Sequence, residues 1–166
     1  MDCAFHALTA LAVSKELTGK YLLSASLFSI LPDFIGATPY ELKKIQHSSK
    51  RSLKGFSADF KKLTRNGTFF SSFDKAAYRA AHSWLSLIPV SLIALAFCGK
   101  LWWVLTISYF SHLLVDVFTH EKEFSQRPLY PFFDWHITGK SWENKNVFLG
   151  FWFILLTVLF LQRIRM

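Results

Sequence analysis

Cysteine is scarce in this 166-residue chain: Cys3 and Cys98 are the only two, far apart and each in apolar surroundings. That sets aside a disulfide framework and a thiolate metal site. Carboxylates are few, 11 against 19 lysines and arginines, which leaves a formal charge of +8. Repeats and low-complexity tracts are lacking, so the hydrophobic runs are the units to read. The opening MDCAFHALTALAV has no basic start and no small-residue cleavage site, so no removed signal peptide is expected and Met1 onward is expected to persist. A serine-nucleophile motif is lacking too.

What the chain has is apolar mass. Hydrophobic residues make up 52% of it, aromatics 17% with 18 Phe, and the mean hydropathy is positive, high for a soluble domain of this size. This predicts one membrane-embedded, all-α domain over residues 1–166. The architecture read from the pattern is an integral membrane helical bundle with two helical hairpins, a basic interfacial amphipathic helix and a C-terminal membrane helix. Ser83 to Cys98 and Leu101 to Phe118, separated only by Gly99 and Lys100, form one hairpin, each limb slightly short of the roughly 20 residues of a perpendicular span. Ala4 to Val13 and Tyr21 to Leu31 are each about half a membrane thick and fold back on each other through SKELTGK. Asn146 to Gln162 is the C-terminal span.

The positive charge is concentrated between the first and second hydrophobic regions, from Lys43 to Arg79, where it should face anionic headgroups on the cytoplasmic side. Within it, Leu42, Ile45, Leu53, Phe56, Phe60 and Leu63 recur at helical spacing over Tyr40 to Arg65, which predicts a basic amphipathic helix on the membrane surface, ended near Asn66 and Gly67. Nucleic acid is not an expected partner, because the basic residues are interleaved with bulky apolar ones and no recognition motif accompanies them. Thr119 to Lys145 reads as an extended interfacial loop with Tyr130, Trp135 and Trp142 at headgroup depth.

Three polar residues interrupt the second limb of the long hairpin, in SHLLVDVFTHEKE. Positions four apart share one helix face, so His112, Asp116 and His120 form a single stripe. A lone intramembrane histidine usually satisfies a neighbouring helix; three such residues on one stripe point instead to a shared ligand. Folding at Gly99 and Lys100 brings His82 level with Asp116 to within about one residue, roughly 1.5 Å, and Arg79, one turn earlier, to the same mouth, where it can meet an anionic group. Folding the N-terminal pair at Thr18 and Gly19 brings His6 to roughly 3 Å from the level of Asp33, which follows Pro32 where a helix is expected to stop. Imidazole nitrogens with aspartate oxygens suit zinc or a similar divalent ion, and ionisable groups at membrane depth usually mark function or mutual pairing. Asp74 is a possible further ligand; the spacings of His47 and His136 supply no argument.

At these residues the sequence resembles the bacterial membrane-bound, LexA-regulated metal-dependent hydrolase family, itself distantly similar to zinc-dependent phospholipase C and P1 nuclease. The matching elements are AFHALTA with His6, the LPD element ending at Asp33, YRAAHSWL with Arg79, His82 and Ser83, SHLLVDVFTH, and the stretch PLYPFFDWHITGKSW. Phe34, Ile35 and Gly36 stand where many members continue with a further Asp or His, and Tyr78 precedes Arg79 where many carry a His, which bears on the number of metals. The resemblance implies a metal-dependent hydrolase. With the residue reading, it gives a phosphoesterase acting on a phosphoester or phospholipid among membrane lipids. His6, Asp33, His82, His112 and Asp116 are the expected ligands of a divalent metal, zinc foremost; His120 is a ligand or proton donor, and Arg79 orients the phosphate. A proton or metal-ion transport component and a noncatalytic scaffold with a structural metal are the alternative readings.

Overall fold

The computed structural model describes residues 3–14, 20–48, 71–142 and 144–164. Among them the chain is all-helical, with α1 (Cys3–Val13), α2 (Lys20–Ser48), α3 (Ser72–Ala81), α4 (Leu87–Cys98), α5 (Trp102–Thr119) and α6 (Lys145–Ile164). The described residues hold no β-strand beyond one antiparallel bridge between Gln126 and Ile137.

Helix α5 is the centre of the packing, touching α1, α2 and α4. Its buried positions include Leu105, Ser108, Tyr109, His112, Leu113, Asp116 and Thr119, which recur at the three- and four-residue spacing of one helical face. The polar residues of this helix point inward while Ile107, Leu114 and Phe118 point out. That is the reverse of a water-soluble helix. On α6 only Leu155 is buried, and Phe153, Ile154 and Phe160 are exposed. Two helical stretches, Trp84–Thr119 and Lys145–Ile164, are long and apolar enough to cross a membrane.

The first of these is folded at Gly99, whose backbone has φ 53° and ψ −126°. Its limbs, α4 and α5, pack on each other as the hairpin read from the sequence, tied by Thr106 Oγ1 donating to Ser91 Oγ at 3.2 Å. Helices α1 and α2 pair as the other hairpin, with Ser29 Oγ donating to the His6 carbonyl at 2.6 Å. Helix α6 lies along α1 in the same direction: Phe5 packs among Phe151 and Trp152, and Gln162 Nε2 donates to the Ala12 carbonyl.

Four sequence expectations are corrected. Helix α2 does not stop at Pro32 but runs through both Pro32 and Pro39. An interior proline costs about 3 kcal/mol; packing of α2 against α1, α3 and α5 outweighs it, and Asp33 therefore projects from the middle of a helix. The helix expected to begin at Tyr40 has no separate start, because α2 continues to Ser48; 49–67 lie outside the described residues. The first limb of the long hairpin is interrupted: α3 ends at Ala81, His82 and Ser83 are non-helical, and a 3-10 turn, Trp84–Ser86, leads into α4. Ser83 makes that break by accepting from the Leu85 amide through its hydroxyl oxygen. Finally, the segment after α5 is folded rather than extended, with the amides of Gly139, Lys140 and Trp142 bonded to the carbonyls of His120, Phe118 and Thr119. Trp142 accordingly packs on Phe5 at 5.2 Å between ring centres.

The turn at Gly99 generates a test. Its φ and ψ lie where side chains other than glycine are strained by about 1–3 kcal/mol. Gly99→Ala should lower the thermal unfolding midpoint of detergent-purified protein without changing its helix content by circular dichroism.

Candidate metal centre

The open ends of the two hairpins meet at one buried cluster. Asp33 comes from α2, His82 from the residue that caps α3, and His112 and Asp116 from α5. One donor atom from each lies within 4.8 Å of every other. His82 Nε2 stands 3.3 Å from Asp33 Oδ1 and 3.4 Å from Asp116 Oδ2. His112 Nε2 stands 3.4 Å from Asp33 Oδ1, 3.1 Å from Asp116 Oδ2 and 3.4 Å from His82 Nε2. All four residues are at most 4% exposed.

Those separations are five of the six edges of a four-donor shell, the Asp33–Asp116 edge being bounded at 4.8 Å. A regular tetrahedron with edges of about 3.4 Å has its centre about 2.1 Å from each corner, the bond length that small divalent ions make to imidazole nitrogen and carboxylate oxygen. The protonation pattern agrees. His82 Nδ1 faces the Tyr78 carbonyl at 3.0 Å; a carbonyl only accepts, so Nδ1 carries the proton and the Nε2 lone pair points into the cluster. Neither carboxylate oxygen of Asp116 has a hydrogen-bond partner, nor does either ring nitrogen of His6. Among the described residues, only histidines lie within ion-pair range of Asp33 and Asp116. Two buried carboxylates that share this space with the His82 lone pair repel one another unless a positive charge lies between them. The group Asp33, His82, His112 and Asp116 can hold a metal ion.

Asp116 is two-sided. Its Oδ2 faces that group, while Oδ1 is 3.5 Å from His6 Nε2 and 3.2 Å from His120 Nδ1. The His6 ring stacks on His112 with centroids 3.7 Å apart. Burial first, and the adjacent His112 second, push the His6 pKa down to about 3, so its ring is neutral with a free lone pair. Cys3 Sγ donates to Asp33 Oδ2 at 3.8 Å, and burial together with the Asp33 charge raises the thiol above its ordinary pKa. What stands beside Asp33 is a thiol, not a thiolate ligand.

All six residues singled out in the hairpin ends thus lie in one cluster, carried by three helices and two helix caps, His82 after α3 and His120 after α5. Arg79 sits one turn before His82 on α3, its Nε buried without a hydrogen-bond partner. Asp74 serves a different purpose from ligation: with Ser71 it forms the capping box of α3. His136 is exposed, and the side chain of His47 lies outside those described.

Several supporting residues carry no obvious sequence signal. Tyr78 stacks on the His82 ring at 3.9 Å. Gly36 lies so close that a Cβ there would stand 3.1 Å from His82 Nδ1 and Cε1, so the absence of a side chain lets α2 approach the ligand. Tyr109 donates its hydroxyl to the Ala81 carbonyl at 2.6 Å, satisfying a backbone group freed where α3 breaks off. Its position three residues before His112 puts it on the same face, a signal that spacing could have supplied.

Detergent-purified protein should carry a divalent ion in stoichiometric amount by elemental analysis, and His112→Ala and Asp116→Ala should each lose it; unchanged content in both would remove the proposed ligands. Compared with family models, with characterised proteins and with solved structures, the chain matches none, so its own geometry is the ground for a functional reading.

Proposed function

We propose that this chain is a membrane-bound metal-dependent hydrolase, a phosphoesterase of the kind its sequence motifs resemble, acting at the membrane surface on a phosphoester, with a phospholipid as the leading substrate. One observation carries the reading: aspartates and histidines from sequence-distant helices converge, buried, at the spacing of a metal coordination shell. Two imidazoles with two carboxylates at tetrahedral spacing favour zinc, whereas magnesium and calcium call for more oxygen ligands.

Asp33, His82, His112 and Asp116 would hold a divalent ion, and a fifth position open to water would let it acidify that water toward neutrality and neutralise charge growing on phosphoryl oxygens, so that no serine nucleophile is required. The protein's own groups would do the rest. His120, 7% exposed and against Asp116 Oδ1, stands between the cluster and its surroundings, in place to ligate or to deliver a proton to the leaving oxygen. His6 completes the far side of Asp116. Arg79, whose Nε has no hydrogen-bond partner, would orient a phosphate.

Asp116 is fourteen residues from the start of α5 at Trp102, about 21 Å at 1.5 Å per residue, which puts the cluster at the end of the hairpin away from its turn and about 9 Å short of the far edge of a hydrocarbon core of about 30 Å. The rest of the hairpin argues against a transport path, because toward its turn the buried positions are Ala94, Val104 and Leu105 rather than a continued line of ionisable groups. Membrane placement itself is supported by the outward-facing apolar side chains of α4, α5 and α6.

The test is turnover of a panel of phospholipids and soluble phosphoesters by the metal-loaded protein. Activity should fall to background in Asp33→Asn. Arg79→Ala should lower kcat/KM about 10- to 100-fold, the worth of a charged hydrogen bond of about 1.5–3 kcal/mol, with the metal retained. A protein that keeps its metal and turns over no member of the panel would be a scaffold.

A further inference from the structure

The segment between α5 and α6 has a rigid base and an apolar tip. At the base, Ser125, Gln126, Arg127 and Pro128 are all buried. The Ile137 amide closes the loop onto the Gln126 carbonyl at 2.8 Å, and Arg127 and Asp134 form an ion pair across it. The loop is also fastened to the break beside the metal cluster: Ser83 Oγ lies 2.8 Å from the Pro128 carbonyl and 2.9 Å from that of Tyr130, and the Trp84 amide donates to the Pro128 carbonyl at 3.0 Å. Yet at the tip Phe132 is 78% exposed, Phe133 63% and Trp135 59%, with Leu129 beside them.

Large side chains held outward by a fixed base are an interaction surface rather than a loose end. The fastening at Ser83 and Trp84 sets this surface at the head of a second apolar strip, since Trp84, Ile88 and Leu92, four residues apart, are exposed along the first limb of the long hairpin. That limb belongs to a stretch apolar enough to cross a membrane, so the surface continuous with it is suited to lipid, and phenylalanine and tryptophan are the side chains that settle at the boundary between headgroups and acyl chains.

We propose that Leu129, Phe132, Phe133 and Trp135 form a membrane-docking surface that enters this boundary and seats the end of the bundle that holds the metal cluster against it. The site then takes phosphoesters resident in the bilayer in preference to water-soluble ones. The substrate half of the inference rests on the phosphoesterase reading; the docking half does not.

Two measurements separate them. In vesicles of phosphatidylethanolamine and phosphatidylglycerol, the difference in emission between the parent and Trp135→Phe isolates Trp135. That emission should be quenched roughly twofold by lipids brominated near the headgroup and little by aqueous acrylamide. Quenching by acrylamide but not by brominated lipid overturns the docking surface, as does protection from both with cross-linking to a second copy. The triple variant Phe132→Ser, Phe133→Ser, Trp135→Ser should keep its metal and its turnover of a short-chain soluble phosphoester, but lose about tenfold or more on bilayer phospholipid. Full activity of that variant on bilayer lipid overturns the substrate preference, whereas a parent inactive on every phosphoester removes the hydrolase reading and leaves the quenching result to decide docking.

Discussion

Two carboxylates buried among imidazoles are the constraint around which this structure is organised. Asp33 and Asp116 are 4% and 1% exposed, and among the described residues no lysine or arginine lies in ion-pair range of either. Charge in such a place is tolerated only where donors and a counter-ion are fixed around it. The helices accordingly turn their polar stripes toward one another and their apolar stripes outward. Ser29 reaches the backbone of α1, and Ser108 and Ser111 return their hydroxyls to carbonyls of their own helix, so these interior hydroxyls are satisfied while the oxygens of Asp116 and the ring nitrogens of His6 are not.

Geometry at His82 shows how backbone and side chain cooperate. The ring is presented by a residue just past the end of α3, oriented by the Tyr78 carbonyl, stacked on the Tyr78 ring and overlain by the bare backbone of Gly36. The break that permits this frees the Ala81 carbonyl, which Tyr109 satisfies from the helix that also carries His112 and Asp116. One ligand's orientation therefore depends on the placement of two others.

Much of the cluster was legible in the sequence because helical periodicity and hairpin closure are simple arithmetic. The four-residue spacing of His112, Asp116 and His120 fixed a face, and matching residues across Gly99 paired His82 with Asp116; matching across the N-terminal turn put His6 level with Asp33, whereas its ring comes to lie against Asp116. What escaped depends on tertiary context. Pro32 reads as a stop, but three packed neighbours hold α2 helical through it. Ser83 reads as one more residue of an apolar helix, yet its hydroxyl serves partners 45 and 47 residues away. Asp74 carries the residue type of a ligand and the position of a helix cap, and the local backbone claims it. Trp142 reads as an interfacial aromatic, but Phe5 offers it a partner inside the fold.

The fastening at Ser83 makes the aromatic loop and the ligand His82 parts of one mechanical element. Serine and histidine are adjacent in the chain, and the carbonyls of Pro128 and Tyr130 grip the serine. A pull on the loop therefore cannot dissipate in a flexible tether; it is delivered to the imidazole one peptide away. Loop and imidazole are therefore one rigid unit, and a change in the seating of either would reposition the other.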